Sequence, residues 1–260
     1  MTRGNIALLD FDGYICKSYY AMLGKGSTDF DEMLALLEEL VESAISKMPK
    51  GTEVFKYISG HTYKKDIYPS YKANRKRDEV LGEYRDFVKL YYEGGLIKSP
   101  VLEADDLIVM DYEHYAQEGF DVVVFSDDKD LRYYCQKYCK INFNEEIVEQ
   151  DKEQMRTNRI VQFVAGDSED GVSGIKGLGE KKATIELNKL GGITIENVIK
   201  LYKNKEVDID ECLKNIILIS PLHEAVVEDY EWSPTDDMQN ILGHFRYWNK
   251  VVKDVYNEEI

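Results

Sequence analysis

The residues best suited to do chemistry in this 260-residue chain are carboxylic acids in short, spaced clusters. Glu103, Asp105 and Asp106 fall within four positions, Asp128 and Asp130 are two apart, Asp167 and Asp170 are three apart, and Asp10 follows an apolar run. Carboxylates that converge repel one another unless cations join them, and hard divalent ions such as Mg²⁺ select all-oxygen ligand sets. Taken alone, either the Glu103–Asp106 or the Asp128–Asp130 cluster reads better as helix-capping or solvated-loop acids. Zinc chemistry is not indicated. Cys16, Cys135, Cys139 and Cys212 form no Cys-x-x-Cys pair with partnering histidines, so they are expected to be reduced structural thiols, with Cys135 and Cys139 in a helix.

Two further constellations could hold an anion. Residues 61–77 carry Lys64, Lys65, Lys72, Arg75, Lys76 and Arg77 against the single acid Asp66. Lys72 and Arg75, three apart, would share one side of a helix, with Tyr71 offering an aromatic face for a base. Further on, Gly174, Gly177 and Gly179 allow a tight turn to present backbone N–H groups at a helix start, with Lys181 and Lys182 adding charge. Such a turn grips a phosphodiester backbone without reading bases.

The elements that must position these groups follow from periodicity. Ile6–Leu9 and Val122–Phe125 are short apolar runs suited to buried strands, and Val54–Ile58 and Leu96–Val101 read as further strands. Each acid at a strand exit then lies where α/β folds bind ligands. Helices are expected from about Tyr14, over 29–47, 78–93, 107–117 and 131–138, and one or two strands over 140–148; helices dominate beyond Thr157. The 43% hydrophobic content describes a globular chain. With no signal pattern and no membrane-length apolar run, an intracellular, cytoplasmic, monomeric protein is expected. The net charge of −16 argues at first against a nucleic-acid partner. Its distribution argues otherwise, since the basic segment is local, residues 220–260 hold nine acids against three cations, and bound metal would offset part of the charge.

In order along the chain, Tyr71-Lys72-Ala73-Asn74-Arg75, Glu103-Ala104-Asp105-Asp106, Asp128-Lys129-Asp130, Gly166-Asp167-x-x-Asp170 and the Gly-x-Gly-x-Lys turn at 177–181 resemble the motifs of the 5′-nuclease superfamily. That superfamily includes flap endonucleases, bacteriophage ribonuclease H enzymes and the 5′-nuclease domain of bacterial DNA polymerase I. The short length and Leu-Asp-Phe opening look most like the phage enzymes. The resemblance implies an α/β, PIN-like (5′→3′ exonuclease-type) domain at 1–156, with a mostly parallel central sheet flanked by helices. It further implies a small all-helical helix-three-turn-helix region at 157–219 and C-terminal helices at 220–260 packing back on the nuclease domain.

Carried over by position, Asp10, Glu103, Asp105, Asp106, Asp128, Asp130, Asp167 and Asp170 match the ligands of two Mg²⁺ or Mn²⁺ ions. Lys72 and Arg75 match the basic pair on the scissile phosphate, with Tyr71 as base-stacking aromatic. Lys76, Arg77, Gly174, Gly177, Gly179, Lys181 and Lys182 fall in the nucleic-acid-binding segments, and a K⁺ ion is expected at the glycine turn. The implied activity is metal-dependent removal of 5′ flaps, 5′ nucleotides or RNA primers, with ribonuclease H activity a further expectation. The implied partners are flapped or branched duplex DNA, RNA–DNA hybrids and single-stranded-DNA-binding or other replication proteins. Two departures stand out: Lys56 and Tyr57 occupy the place where many members carry an Asp after the second strand, and Gly171 stands where others often have Asn. A rival resemblance, of Asp10-Phe11-Asp12-Gly13 to haloacid-dehalogenase-type phosphatases, makes Asp10 a nucleophile and Asp12 its acid, but leaves the other motifs unexplained. A non-catalytic DNA-binding relative is the third reading.

Overall fold

The computed structural model describes residues 2–76, 78–222 and 237–257. Its first strand shows how the chain builds its layers. Ile6, Ala7, Leu8 and Leu9 of β1 (Asn5–Asp10) are fully buried, and they alternate between two cores. A strand with apolar side chains on both faces requires cover on both, which dictates a helix–sheet–helix sandwich.

In chain order the elements continue with α1 (Phe11–Gly24), α2 (Phe30–Ser46), β2 (Glu53–Tyr57), α3 (Tyr63–Ile67), α4 (Glu79–Tyr91), α5 (Ala104–Gln117) and β3 (Asp121–Phe125). Then come α6 (Leu131–Tyr134), β4 (Lys137–Cys139), β5 (Val148–Glu149), α7 (Lys152–Ala165), β6 (Gly166–Asp167), β7 (Val172–Ser173), α8 (Glu180–Lys189), α9 (Ile195–Asn204), α10 (Ile209–Ile219) and α11 (Asp237–Asn257). They form two compact units, Met1–Thr62 with Lys76–Asp151, and Tyr63–Arg75 with Lys152–Ile260.

In the first unit the strand order is β2-β1-β3-β4-β5, parallel except for β5. Ala7, Leu9, Val123 and Phe125 face α1, α2 and α4, whereas Ile6, Leu8, Val122 and Val124 face α5 and α6. Because Asp10 lies opposite Tyr57 and Leu9 opposite Phe125, three parallel strands end together, and residues 10–12, 57–59 and 126–128 leave the sheet at one edge. α2 turns a stripe of Met33, Leu37, Leu40, Val41 and Ala44 inward, with Asp29 capping its first turn.

In the second unit, α7 to α11 bury Phe163, Val164, Leu187, Val198, Tyr202, Ile216 and Trp248 around one core, with β6 and β7 as a short antiparallel hairpin. Trp248 and Val252 of α11 lie one helical turn apart and join this core. Within the second unit the apolar stripe of α11 finds the apolar faces of α9 and α10. Residues 223–236, which carry much of the acidic excess, lie outside the described residues.

Other boundaries also move. The unit boundary falls after Asp151 and not at 156, and Tyr63–Arg75 belong to the helical unit. The helix after Asp10 starts at Phe11, the strand expected over 96–101 is a single bridge between Tyr57 and Ile97, and the helix after Asp130 stops at Tyr134, leaving Cys139 in β4. No helix carries Lys72 and Arg75: α3 ends at Ile67, before Tyr68-Pro69, because proline disfavours helical backbone at the preceding residue and lacks the N–H to continue the ladder. No helix among the described residues is long and apolar enough to cross a membrane.

Gly174 marks the tightest approach in the helical unit. A Cβ there would lie 2.2 Å from the Ala165 carbonyl carbon and 2.3 Å from the Val164 oxygen, while the Ile175 N–H donates to that same oxygen at 2.8 Å. Gly174→Ala is expected to lower the unfolding free energy by roughly 1–3 kcal/mol. Gly179→Ala, with nothing within 4 Å of the added carbon, should be close to neutral. Equal urea midpoints for the two variants would refute this account.

Candidate active site

The exits of β1, β2 and β3 place the acids of the first unit. Asp10, the last residue of β1, is buried and caps α1, accepting from the Gly13 N–H at 3.3 Å. Its other oxygen accepts from the Ser126 hydroxyl at 2.6 Å. Ser126 Oγ in turn accepts from the Asp128 N–H at 2.9 Å, and Asp128 Oδ1 accepts from the Asp130 N–H at 2.6 Å. Asp130, Asp128, Ser126 and Asp10 thus form one hydrogen-bonded row along the edge. Burial pushes the Asp10 carboxyl up to about 7; the charges of Asp12 and Asp128 push the same way, against the stabilising hydrogen bonds from Ser126 and Gly13.

The Glu103–Asp106 cluster opens α5. Glu103 is its N-cap and Asp106, nearly inaccessible, accepts from the Glu103 N–H at 3.4 Å in a reciprocal capping box. The Ala104 N–H donates to Ser59 Oγ at 2.9 Å, which fastens this helix start to the exit of β2. Asp105 is half-buried beside them. Helix-capping and cation-binding readings therefore apply to the same residues, since a capping carboxylate keeps oxygen lone pairs to offer.

At the departure from the family pattern, neither side chain supplies an acid. Lys56 Nζ sits 5.0 Å from the Tyr92 ring centre and 6.0 Å from that of Phe11. Tyr57 is fully buried and donates to Asp111 at 2.6 Å.

The second unit joins the basic turn to the remaining acid pair. Asp167, buried, accepts at one oxygen from the Glu169 and Asp170 N–H groups at 2.8 and 3.3 Å, and at the other from Gln162 at 3.2 Å. Asp170 accepts from the Tyr71 hydroxyl at 3.1 Å and pairs with Arg75 and with Lys72, the latter at 3.6 Å. Two backbone-directed bonds, Lys72 N–H to the Asp170 carbonyl at 2.8 Å and Asn74 Nδ2 to the Ser168 carbonyl at 2.9 Å, fasten the two turns together. Lys72 adopts φ +54°, a left-handed conformation that non-glycine residues rarely hold without surrounding constraint. Lys72 and Arg75 do meet on one side, but through this turn and not along a helix.

Tyr71 is corrected. It is only 2% exposed and packs with Val172 and Leu218, with Lys72 Nζ 4.9 Å from its ring centre, so its face is not presented to a base in this arrangement. An aromatic ring flanked by apolar partners gains more from burial than from waiting in water. Lys76 is exposed, whereas Arg77 lies outside the described residues.

The glycine turn divides in function. Gly174 serves the close packing described above. Gly177 holds φ +80° and is exposed, and Gly179 caps α8 ahead of the exposed Glu180, Lys181 and Lys182. That leaves a helix start with two lysines on the surface.

Among the described residues no three His, Cys, Asp or Glu side chains lie close enough to hold a metal ion as they stand. Their chemistry still fits a hard divalent cation: the charged groups that the sequence places at the edge of the first unit are carboxylates, and Asp10, raised first by burial and then by the charges of Asp12 and Asp128, is a group that a cation would relieve. Ser126 and Ser59 were not singled out from sequence. Ser126 had a signal, a hydroxyl residue directly between an apolar strand and two acids, as side-chain-capped turns favour. Ser59 had none.

Residues 5–162 match the family described as 5′-3′ exonuclease, N-terminal resolvase-like domain. The chain is 26% identical over 229 residues to a 5′-3′ exonuclease of Aquifex aeolicus, covering 82% of this chain and 78% of that one. It is 28% identical over 224 residues to an exodeoxyribonuclease of Enterobacteria phage T3, covering 78% and 72%. The fold is similar to that of the T5 D15 protein co-crystallised with metal ions, at a TM-score of 0.63 and 15% identity over 97% of this chain and 100% of the other. It is also similar to the bacteriophage T5 D15 flap endonuclease in a pseudo-enzyme–product complex with DNA and metal ions, at a TM-score of 0.60, 15% identity, and 98% and 100% coverage.

The raised Asp10 carboxyl sets a pH dependence. With a pKa of about 7 in the folded chain against 3.8 unfolded, the native state holds this proton more tightly. Its contribution to stability is complete below pH 3.8 and is lost as pH rises through about 7. Asp10→Asn, which cannot ionise, should therefore gain stability relative to the wild type as pH rises across that window in EDTA. A difference independent of pH, read by urea denaturation, would mean that the carboxyl is not raised.

Proposed function

The chain belongs to the family of 5′-3′ exonuclease N-terminal resolvase-like domains, and we propose that it is a divalent-cation-dependent, structure-specific 5′ nuclease that removes 5′ flaps, 5′ nucleotides or RNA primers from duplex DNA. The observation that carries this reading is the row Asp130, Asp128, Ser126 and Asp10 along the strand exits, reached at the same edge by the start of α5 through Ser59. The proposed cation ligands are Asp10, Glu103, Asp105, Asp106, Asp128 and Asp130, with Asp167 and Asp170 as further carboxylates. Bound divalent cations would supply activation of a water nucleophile and neutralisation of the leaving 3′-oxygen.

The chain's own residues divide the remaining work. Ser126 and the Gly13 N–H orient Asp10, and the capping box orients Glu103 and Asp106. Lys72 and Arg75 are the proposed contacts to the scissile phosphate. Each already pairs with the Asp170 carboxylate, and a phosphate oxygen is the same kind of anionic acceptor, so Arg75 can exchange one for the other and use its fork on two phosphate oxygens. The exposed turn at Gly177 and Gly179, with Lys181, Lys182 and Lys76, is the proposed contact to duplex backbone, which needs charge and N–H groups but no base recognition. Support for DNA and metal as partners comes from the T5 D15 flap endonuclease, whose structure holds both. The phosphatase alternative requires Asp12 to act as an acid, yet both of its oxygens are engaged by Arg85 and the Ser59 N–H.

A 5′-flap duplex and a small phosphate monoester, each assayed with Mg²⁺ and with EDTA, test the reading. Flap cleavage is expected with Mg²⁺ alone, and robust cleavage in excess EDTA would sink it. Lys72→Ala should lower the single-turnover rate on the flap by ~10²-fold while changing affinity little, as for a contact strengthened at the transition state. A defect that vanishes at saturating enzyme would remove Lys72 from the chemical step.

Gly177→Val forces a β-branched side chain into a left-handed conformation that already disfavours ordinary residues by roughly 1–2 kcal/mol. It should weaken binding to every duplex sequence alike and leave Mn²⁺ affinity unchanged. Sequence-selective loss would contradict a backbone-gripping turn.

A further inference from the structure

Asp12 is the acid nearest in sequence to Asp10, and it is held differently from its neighbours. Its Oδ1 pairs with Arg85 Nη2 at 2.8 Å and its Oδ2 accepts from the Ser59 N–H at 2.7 Å. Arg85 also donates to the Ser59 carbonyl, and Ser59 Oγ accepts from the Ala104 N–H at 2.9 Å. Three hydrogen bonds and one ion pair thus link α1, the exit of β2, α4 and the start of α5 within the first unit. The pair is only partly exposed, 31% for Arg85 and 26% for Asp12, so it is less screened than a surface ion pair. Neither residue belongs to the ligand set proposed above.

We propose that Arg85 is a positioning residue that withholds the Asp12 carboxylate from the cation-binding edge, so that bound ions are held by the other acids; this rests on the proposed cation-binding role of that edge. The physical case is that a carboxylate two residues from Asp10 is an oxygen donor of the kind a divalent cation selects. Left unpaired it would compete for the ion and draw it toward the start of α1. The guanidinium prevents this by pairing with one oxygen while the Ser59 N–H takes the other. Arg85 can do so because one of its nitrogens, Nη2, reaches both the Asp12 carboxylate and the Ser59 carbonyl, and its guanidinium stays charged at any working pH.

Removing Arg85 therefore has two separable effects. Loss of its positive charge tightens cation binding whatever Asp12 does, and release of Asp12 tightens it further but in a misplaced set. A double-mutant cycle divides them. Mn²⁺ binding is measured by calorimetry without nucleic acid on the wild type, Arg85→Ala, Asp12→Asn and the double variant, with single-turnover flap cleavage at saturating Mn²⁺ as the second readout. The tightening caused by Arg85→Ala should be roughly fivefold or more larger when Asp12 is present than in the Asp12→Asn background. Arg85→Ala should cleave more slowly despite binding metal more tightly, and Arg85→Lys should fall between it and the wild type.

Equal tightening in both backgrounds, or weaker Mn²⁺ binding by a cooperatively folded Arg85→Ala, would overturn the proposal. If Arg85→Ala does not fold, Arg85→Gln, which keeps most of the stem, enters the same cycle under the same criteria. A wild type that binds no Mn²⁺ would fail at the first titration, and that result counts against the proposed function of the edge before any variant is compared.

Discussion

The crowding of carboxylates at one sheet edge, with Asp10 and Asp106 buried there, is the constraint on which the first unit depends. Parallel strands all end on the same side, so every strand-exit turn adds its polar groups to one place. Asp10 feels this strongly, being both buried and beside Asp12 and Asp128. The turns answer with hydrogen-bond donors: the Gly13 and Ser59 N–H groups, the Ser126 hydroxyl and, for Asp12, a guanidinium. Such an arrangement costs stability in the absence of a cation, a common property of sites kept ready for a ligand.

The second unit meets the same problem in another way. Asp167 is satisfied by its own turn and by Gln162, whereas Asp170 is neutralised by Lys72 and Arg75. Charge pairing there also organises the backbone, since Lys72 holds its left-handed conformation against a carbonyl of the acid turn. The two motifs, nearly a hundred residues apart in sequence, are one structural object. A phosphate that displaced the Asp170 carboxylate would meet a basic pair already positioned and partly desolvated, which favours contacts strengthened as charge develops.

The net charge of −16 is compatible with this chemistry because its parts act locally. Exposed charges farther apart than the Debye length, about 8–10 Å in ordinary buffers, hardly sense one another. Lys181 and Lys182 at the start of α8 therefore present a cationic surface in spite of the acidic remainder.

Much of this was determined by the sequence alone. The apolar runs at 6–9 and 122–125 had to be buried strands, and the acids that follow them had to lie at the strand exits, because local pattern and chain connectivity suffice for both. The ordered motifs likewise identified the family without reference to distance. What the tertiary structure decided were the partners. Tyr71 looked like a base-stacking ring and proved to be core, since whether an aromatic side chain is exposed depends on Val172 and Leu218, residues that its own neighbourhood in sequence does not reveal. Lys72 and Arg75 reach one target through a left-handed turn because Pro69 ends the helix that their spacing suggested. Trp248 and Val252 owe their place to the apolar faces of α9 and α10, which lie far from them in sequence. Arg85 carried no local signal at all: its meaning lies in Asp12 and Ser59, and an ion pair between distant residues is specified by the fold, because only the packed chain brings the two charges within reach.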